Sequence, residues 1–529
     1  MQTIPNLGDL GFANFAGRTW RPHQAETLAS VLSSKKKFLL VQAPTGFGKS
    51  PLAMSAGLLI EPKLPRQYGS DLLDPQSAIL AVTKQLQRQY LDDFPHAHEV
   101  RGRGNFVCNA EPSQTAAEAI CTISGPKSCD VHRAGGCSYY QHRDAALQGV
   151  QVVPNYAYFL GTANGSGAFS QQSLLVLDEG HLIDDALMSH VTSSVHRFAC
   201  DMFDVRYPAQ NATWNWQQWH DWAALYQDDL ADEVLGLRGP ATGNLATRKR
   251  FHHGSALLKT MNLLAQAPDP WVCVPSKTGW DFMPVWIGSL AESLLYRHGN
   301  KILIMSGTIL NPDLFCKTVG IDPAEMEFID VPSTFPVGAK PVEYWPAQAV
   351  KFGIDLTPTV ERVTEIVRMH EGQKGLVHCV SYALAEAIRK GVPSDVSRRL
   401  ISHTTVDRLE VYEAFRNGRA DGVLLSPSMK EGVSLEDEHC EFICIPKMPY
   451  PYLGSPQIAA RMQTSIGQSW YNWKTMCDTM QMAGRGMRHD GDHCKVYITD
   501  GNYGRVHRTM RQYLPAYWTD DLIDNTGSL

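Results

Sequence analysis

The residues with the clearest capacity for chemistry follow an apolar run, in the segment FLLVQAPTGFGKS at residues 38–50. The run predicts a buried strand that enters a glycine loop, after which Lys49 and Ser50 open a helix. The loop glycines let the backbone approach phosphate, and the amides at a helix N-terminus point toward it. We expect Lys49 to reach the β- and γ-phosphates of ATP and Ser50 to bind Mg²⁺. The predicted phosphate loop comprises Ala43, Pro44, Thr45, Gly46, Phe47, Gly48, Lys49 and Ser50.

A pair of acidic residues ends a second apolar run, in SLLVLDEGH at residues 173–181. Asp178 and Glu179 would emerge at the C-terminal end of a buried strand, where open α/β sheets bind ligands. Asp178 can hold Mg²⁺ through water, and Glu179 can orient and deprotonate an attacking water. For this motif alone, an acidic pair that caps a helix beginning at Leu182 is a live alternative. Together with the phosphate loop, the catalytic interpretation is favoured.

Two further segments carry groups that suit a nucleotide. In RPHQ at residues 21–24, Arg21 and Gln24 can hydrogen-bond an adenine edge, although a solvated helix start explains them equally well. In QMAGRGMR at residues 481–488, a helix would place four residues on one side at i, i+3, i+4 and i+7. Two arginines on that side suit the charge that develops during phosphoryl transfer, whereas a basic surface helix is the alternative. These four residues are Gln481, Gly484, Arg485 and Arg488.

Four of the twelve cysteines cluster between residues 108 and 137, separated by 12, 7 and 7 residues. Four thiolates suit a [4Fe–4S] cluster. Zinc also accepts four thiolates but usually takes them as closely spaced pairs, which these four cysteines do not form. The residues alone favour a cluster and leave zinc and unligated thiols open. The four are Cys108, Cys121, Cys129 and Cys137; we expect the other eight cysteines to be ordinary buried thiols.

The elements that must position these groups alternate between short apolar runs and helical stretches, which predicts two α/β lobes with parallel sheets. Residues 101–140 and about 186–295 interrupt the pattern. In the second interruption helical spacing is followed by Trp219, Trp222, Tyr226 and Leu230, which favours the core face of a small helical insertion over a base-stacking platform. The predicted strands are 38–42, 78–83, 151–153, 174–178, 301–306, 375–380, 422–426, 441–446 and 495–499.

Composition excludes some classes of protein. The chain has 529 residues, 43% of them hydrophobic, yet no run approaches the roughly 18 apolar residues of a membrane span. The first residues show no signal peptide, so we expect a cytoplasmic protein associated with nucleic acid and not with membranes. A net charge of −6 means that nucleic acid would have to bind in a local groove.

Taken in order, these motifs resemble those of superfamily 2 helicases, and within them the XPD/DinG-like branch of iron–sulfur DNA helicases. DEGH is similar to the DEAH box of the family, with Gly180 in place of alanine, and Ser434 stands where many relatives carry aspartate. The matching segments are RPHQ at 21–24, APTGFGKS at 43–50, TKQLQRQY at 83–90, DEGH at 178–181, MSGTIL at 305–310, MKEGVSL at 429–435 and QMAGRGMR at 481–488.

The resemblance implies a domain order. The first RecA-like lobe would comprise 1–100, 141–188 and 296–330, and the second lobe 331–529. The iron–sulfur domain would occupy 101–140, and a mostly helical arch would occupy 189–295. It also implies that the four cysteines hold a [4Fe–4S] cluster, which would serve as a rigid wedge beside the point of strand separation.

The resemblance further implies roles for individual residues. Gly432 would belong to the nucleotide site, while Ser306 and Thr308 would couple that site to the nucleic-acid groove. The remaining residues expected at nucleic acid are Thr83, Gln85, Gln89, Arg101 and Arg103.

The sequence therefore predicts a monomeric 5′→3′ DNA helicase that acts on single-stranded and forked DNA, with the polarity taken from the resemblance. Two alternatives remain at this stage. One is a DEAH-type RNA-dependent ATPase, against which the cysteines argue. The other is a non-catalytic nucleic-acid-binding remodelling factor, against which the intact set of Lys49, Glu179, Arg485 and Arg488 argues.

Overall fold

The computed structural model describes residues 4–61, 67–68, 72–73, 76–209, 214–427, 435, 439–486 and 493–529. Two predicted site residues, Gly432 and Arg488, lie outside these ranges, as do most of MKEGVSL and the end of QMAGRGMR. The roles predicted for Gly432 and Arg488 therefore stay predictions.

Strands occur wherever the sequence predicted one, and the described residues also contain strands that it did not predict. The strands are β1 Phe38–Gln42, β2 Gln67–Tyr68, β3 Leu72–Leu73, β4 Ser77–Leu80, β5 His98–Glu99, β6 Gln151–Val153, β7 Gln172–Leu177, β8 Ser193–His196, β9 Trp271–Pro275, β10 Gly279–Pro284, β11 Gly299–Ser306, β12 Met326–Asp330, β13 Val342–Gln348, β14 Gly375–His378, β15 Leu400–Ser402, β16 Val423–Ser426, β17 Phe442–Ile445, β18 Lys495–Asp500 and β19 Leu522–Asp524.

Helices cover the sheets and build the insertions. They are α1 Gln24–Ser33, α2 Lys49–Leu59, α3 Lys84–Asp93, α4 Cys121–Ser124, α5 Asp130–Arg133, α6 Ser138–Gln148, α7 Tyr156–Gly165, α8 Ile183–Val191, α9 Arg197–Met202, α10 Trp216–Leu237, α11 Leu245–Ala265, α12 Gly288–Leu294, α13 Pro312–Val319, α14 Thr357–Met369, α15 Tyr382–Gly391, α16 Ser394–Ser397, α17 Arg408–Asn417, α18 Pro456–Met462, α19 Gly467–Ala483, α20 Tyr503–Met510 and α21 Ala516–Thr519.

Two seven-stranded parallel sheets form the two RecA-like lobes, as the sequence predicted. The first has the order β12-β1-β11-β7-β4-β6-β5, and the second the order β15-β16-β14-β17-β18-β13-β19. Strands such as β1 and β7 are buried along their whole length because helices cover both faces of a parallel sheet. Parallel pairing of β1, β11 and β7 brings the residues that follow these strands to one edge of the first sheet.

The insertion after the DEGH segment contains more than helices. The long helices α10 and α11 pack against each other, and β8, β10 and β9 form a three-stranded antiparallel sheet beside them. Trp219 and Trp222 are buried, and the Trp219 ring contacts those of Trp280 and Phe282 at centroid distances of 5.1 and 4.9 Å. The tryptophan stripe is therefore the core face of this insertion. The sequence did not reveal the three-stranded sheet.

Two other expectations can be compared with the structure. Seven of the eight cysteines outside the cluster are buried, and Cys273 is partly buried. No helix among the described residues combines the length and apolar character needed to cross a membrane.

Candidate active site and cysteine cavity

A cleft between the two lobes collects most of the residues predicted to handle a nucleotide. The first lobe contributes the phosphate loop together with Asp178 and Glu179, which end β7. The second lobe contributes the residues that follow α19. The predicted residues lining the cleft are Arg21, Gln24, Thr45, Gly46, Gly48, Lys49, Ser50, Gln85, Gln89, Asp178, Glu179, Gln481, Gly484 and Arg485.

The phosphate loop has the backbone that its sequence predicts. Gly46 and Gly48 have φ angles of 83° and 85°, which residues with a side chain rarely adopt. A Cβ atom on Gly48 would also overlap the Gln24 side chain. Helix α2 begins at Lys49, whose Nζ donates to the Ala43 carbonyl at 3.4 Å. The loop thus presents amides and one ammonium group to the cleft.

Arg21 and Gln24 hydrogen-bond to backbone carbonyls of the phosphate loop. The Gln24 Nε2 donates to the carbonyls of Phe47 and Gly48 at 2.6 and 3.3 Å, and its Oε1 accepts from the Arg21 amide at 2.8 Å. The Arg21 guanidinium donates to the Gly46 carbonyl. Both amide atoms of Gln24 are engaged with protein, so in this structure it shapes the loop. Contact of Arg21 and Gln24 with adenine stays a prediction.

Asp178 is a buried carboxylate with both oxygens fixed by donors. It is 3% exposed; Oδ1 accepts from the Glu179 amide at 2.9 Å and Oδ2 from the Tyr90 hydroxyl at 2.7 Å. Burial and the neighbouring Glu179 raise the pKa of Asp178, whereas Lys49 opposes the rise. A divalent cation beside Asp178 and Ser50 would stabilise the ionised carboxylate and would neutralise charge on the β- and γ-phosphates.

Glu179 adopts a backbone conformation that is uncommon for a residue with a side chain. Its φ is 50°, in the left-handed region, and such strain of about 1–3 kcal/mol is concentrated at functional sites. Gly180 follows without a side chain, and a Cβ there would overlap Ile304 in β11. Close packing on this strand explains why glycine replaces the alanine of a DEAH box. The turn directs Glu179 into the cleft.

Glu179→Gln is expected to lower ATP turnover by about 100-fold, the usual contribution of a general base, with little change in nucleotide affinity. The substitution keeps the size of the side chain and removes the carboxylate. Steady-state hydrolysis and binding of a fluorescent ATP analogue would measure the two effects, with the exposed Glu325→Gln as control. Loss of nucleotide affinity with normal turnover of bound nucleotide would instead make Glu179 a structural cap.

A chain of buried polar groups leads from the DEGH segment to the second lobe. The His181 Nδ1 lies 2.9 Å from the Ser306 hydroxyl, and Gln481 Nε2 donates to the Thr308 hydroxyl at 3.0 Å. Burial lowers the pKa of His181 to about 4, so the imidazole is neutral at pH 7. Ser306 and Thr308 are buried, and their contact with nucleic acid stays a prediction. Their placement suits the coupling that the resemblance implied.

Arg485 enters the cleft from a different local structure than predicted. Helix α19 ends at Ala483, and a 3₁₀ turn over Gly484–Gly486 follows, because glycines disfavour continuation of the α-helix. The α-helix predicted across residues 484–486 is therefore wrong, although Arg485 still lines the cleft. Arg485 is 7% exposed, and its Nη2 lies 3.5 Å from Gln481 Oε1. A buried guanidinium across from the phosphate loop can stabilise charge on a transferring phosphoryl group.

Beside the cleft, a buried ion pair joins the two lobes. Arg461 in α18 donates to both oxygens of Asp184 in α8, at 2.6 and 3.0 Å. The guanidinium also lies over the rings of Trp286 and Trp470, at 4.5 and 4.6 Å from their centroids. Nothing in the local sequence revealed this contact, because its partners lie 277 residues apart.

Helix α3, which carries residues predicted at nucleic acid, lies against the nucleotide cleft. Gln85 and Gln89 line the cleft, one helical turn apart. Thr83 caps the helix by accepting from the Leu86 amide at 3.1 Å. The spacing of the two glutamines places them on one face of α3, and that face points toward the phosphate loop. Their contact with nucleic acid stays a prediction.

The cleft also contains second-lobe residues that the sequence did not single out. Tyr412 and Arg416, one turn apart in α17, contribute to its wall. In sequence they belong to an ordinary amphipathic helix, so only the approach of the two lobes identifies them.

The four clustered cysteines line one small cavity. Cys108 is buried and Cys121, Cys129 and Cys137 are partly buried. Among the described residues, no three metal-binding side chains lie close enough to hold a single ion. Four thiols around one cavity are a donor set that both a [4Fe–4S] cluster and zinc accept.

Arg103 lines this cavity and is partly buried, and its contact with phosphate stays a prediction. Its Nη1 lies 3.5 Å from the Cys121 Sγ, and its guanidinium lies 4.6 and 5.1 Å from the centroids of Tyr139 and Tyr140. It also donates to the Tyr140 hydroxyl. A cation in the wall of the cavity suits negatively charged thiolates. Arg101, in contrast, is exposed and pairs with Glu99 at 2.6 Å.

The cysteine-bearing insertion is joined to the second insertion by a buried arginine. Arg248 in α11 is 5% exposed and donates to both carboxylate oxygens of Glu111, at 2.7 and 3.2 Å. Arg238 adds a bond from Nε to the Ile123 carbonyl at 3.1 Å. The two insertions thus contact each other directly through these side chains.

Comparison with known proteins identifies two domains and the fold. Residues 21–218 match the DEAD/DEAH box helicase family, and residues 363–521 match the helicase C-terminal domain. An XPD helicase structure is 14% identical with a TM-score of 0.62, covering 99% of this chain and 100% of its own. An apo XPD structure and Xpd4 of S. tokodaii are each 12% identical with TM-scores of 0.56, covering 95% of this chain and 100% of theirs. No curated protein matches the chain.

Proposed function

We propose that this chain, an ATP-dependent helicase with the fold of the XPD helicases, moves 5′→3′ along single-stranded DNA and unwinds duplex ahead of it. The proposal includes a [4Fe–4S] cluster on Cys108, Cys121, Cys129 and Cys137, and a monomer as the active species. The polarity and the choice of DNA follow from the resemblance to the XPD/DinG-like branch.

The cysteine cavity is the observation that carries the proposal. A helicase needs only two lobes to hydrolyse ATP, so an added domain that gathers four thiolates serves some other step. Its buried hydrophobic cluster comprises only Ala116, Tyr139 and Tyr140, which is too little to hold a domain rigid by itself. Metal–thiolate bonds would supply the missing rigidity, as in other small metal-dependent domains.

The contact between the two insertions supports a path for the nucleic acid. Arg248 and Glu111 join the two insertions directly. We propose that single-stranded DNA passes between these insertions and the lobe. Contacts there would be mostly to backbone, with stacking adding about 1–3 kcal/mol per base, so sequence preference is expected to be weak.

Strand separation on tailed substrates tests this function directly. Protein purified without oxygen should unwind duplexes with a 5′ tail and forked duplexes, and should leave duplexes with only a 3′ tail intact. Poly-dT should stimulate ATP hydrolysis more than poly-U does. Unwinding from a 3′ tail would refute the polarity, and stronger stimulation by poly-U would favour the RNA-dependent alternative.

A further inference from the structure

Tyr90 places a hydroxyl group beside Asp178, the proposed magnesium ligand of the nucleotide site. It lies in α3, is fully buried, and donates to the Asp178 Oδ2 at 2.7 Å. The Glu179 amide donates to the other oxygen at 2.9 Å. Each carboxylate oxygen has two acceptor positions, so both keep one position for a cation or its water. The two donors together leave the Asp178 carboxylate with a single orientation.

The position of Tyr90 is fixed by the helix that carries it. In α3, Gln87 is buried, and its Nε2 donates to the Val153 carbonyl at 2.6 Å and to the Val100 carbonyl at 3.2 Å. These bonds attach the helix to β6 and to the residue that follows β5. A phenylalanine would fill the same space, so the hydroxyl is the part of Tyr90 that packing does not require.

We infer that Tyr90 is a positioning residue for catalysis, which holds the Asp178 carboxylate in the orientation that binds magnesium with ATP. The inference rests on the proposed role of Asp178 and is independent of the nucleic acid that the protein moves along. Partners that orient metal-binding carboxylates contribute about 10–100-fold to metal affinity. The Tyr90 hydroxyl, which donates to Asp178 at 2.7 Å, is expected to act at that scale.

Tyr90→Phe should raise the Mg²⁺ concentration for half-maximal binding of a fluorescent ATP analogue by about 10-fold. Nucleotide affinity in EDTA should not change, and excess Mg²⁺ should restore turnover. The matched control is Tyr156→Phe, because Tyr156 is also buried and its hydroxyl meets the Asp178 backbone carbonyl at 3.5 Å. This control should leave the Mg²⁺ requirement unchanged. Thermal unfolding would verify that both variants are folded.

A second variant distinguishes a failure of the Tyr90 inference from a failure of the proposed magnesium site. Asp178→Asn should raise the Mg²⁺ requirement by itself, and adding Tyr90→Phe should raise it no further, because the hydroxyl acts through the carboxylate. If Asp178→Asn raised the Mg²⁺ requirement and Tyr90→Phe did not, the inference would be refuted and the magnesium site would stand. No shift with Asp178→Asn would refute the magnesium site and with it the inference. Equal shifts from Tyr90→Phe and Tyr156→Phe would make Tyr90 a packing residue.

Discussion

Replacement of Arg485 by alanine is expected to reduce the ATPase kcat by about 1,000-fold, at the lower end of what an arginine contributes to phosphoryl transfer. Arg485 lies across the cleft from Lys49 and the end of β7, so its charge meets the phosphoryl group when the lobes close. Because that charge matters most in the transition state, the affinity for ATP should change much less than kcat. Steady-state ATPase at saturating DNA and direct nucleotide binding would measure the two quantities.

Two further variants make the Arg485 result specific. Arg485→Lys keeps a positive charge but loses the planar fork, and it should recover only part of the activity. Arg389→Ala removes an exposed arginine of the same lobe, which pairs with Glu386 at 2.8 Å, and it should behave like the unmodified protein. If Arg485→Ala weakened only the affinity for DNA, the residue would belong to the nucleic-acid groove instead.

Cys129→Ser is expected to abolish unwinding while ATP hydrolysis survives in part. The four cysteines line a cavity that is separate from the nucleotide cleft, so no thiolate is needed for hydrolysis. Strand separation, in contrast, needs a wedge that stays rigid against the duplex. Without its cluster the insertion retains only a small core, and it should lose order.

The measurements for Cys129 include readouts other than activity. Anaerobically purified protein should be brown and hold about four irons per chain, and the variant should lose both colour and iron. Cys273→Ser is the matched control, because Cys273 is also partly buried but lies in β9 outside the cavity. A colourless anaerobic preparation with one zinc per chain would overturn the cluster assignment. The assignment of the chain as an ATP-dependent helicase would be unaffected.

Much of the motor could be predicted from short segments. An apolar run that enters a glycine loop specifies strand, turn and helix locally, so β1, the loop and the start of α2 agreed with prediction. The resemblance to XPD/DinG-like superfamily 2 helicases is confirmed by the two helicase domain matches and the XPD fold. The strands at 326–330 and 342–348 escaped prediction, since mixed polar and apolar residues there give no clear period.

Other features depend on packing between distant segments, which no local pattern records. Arg103 was expected near phosphate from the resemblance. Only the tertiary structure shows that Tyr139, Tyr140 and Cys121 lie around its guanidinium. Gln85 and Gln89 were expected at nucleic acid; they line the nucleotide cleft, and their contact with nucleic acid stays a prediction. Helix α19 ends at Ala483, where helical spacing in the sequence predicted that it continues.

The sequence by itself determined the chemistry of this protein, because a phosphate loop, an acidic strand end and four clustered cysteines each act through residues close together in the chain. The tertiary structure alone decided which distant groups complete those sites. Tyr90 meets Asp178 across 88 residues, and Arg461 meets Asp184 across 277. Such contacts depend on the order of strands in the sheets and on the approach of the two lobes. Those are properties of the whole fold, which local spacing does not encode.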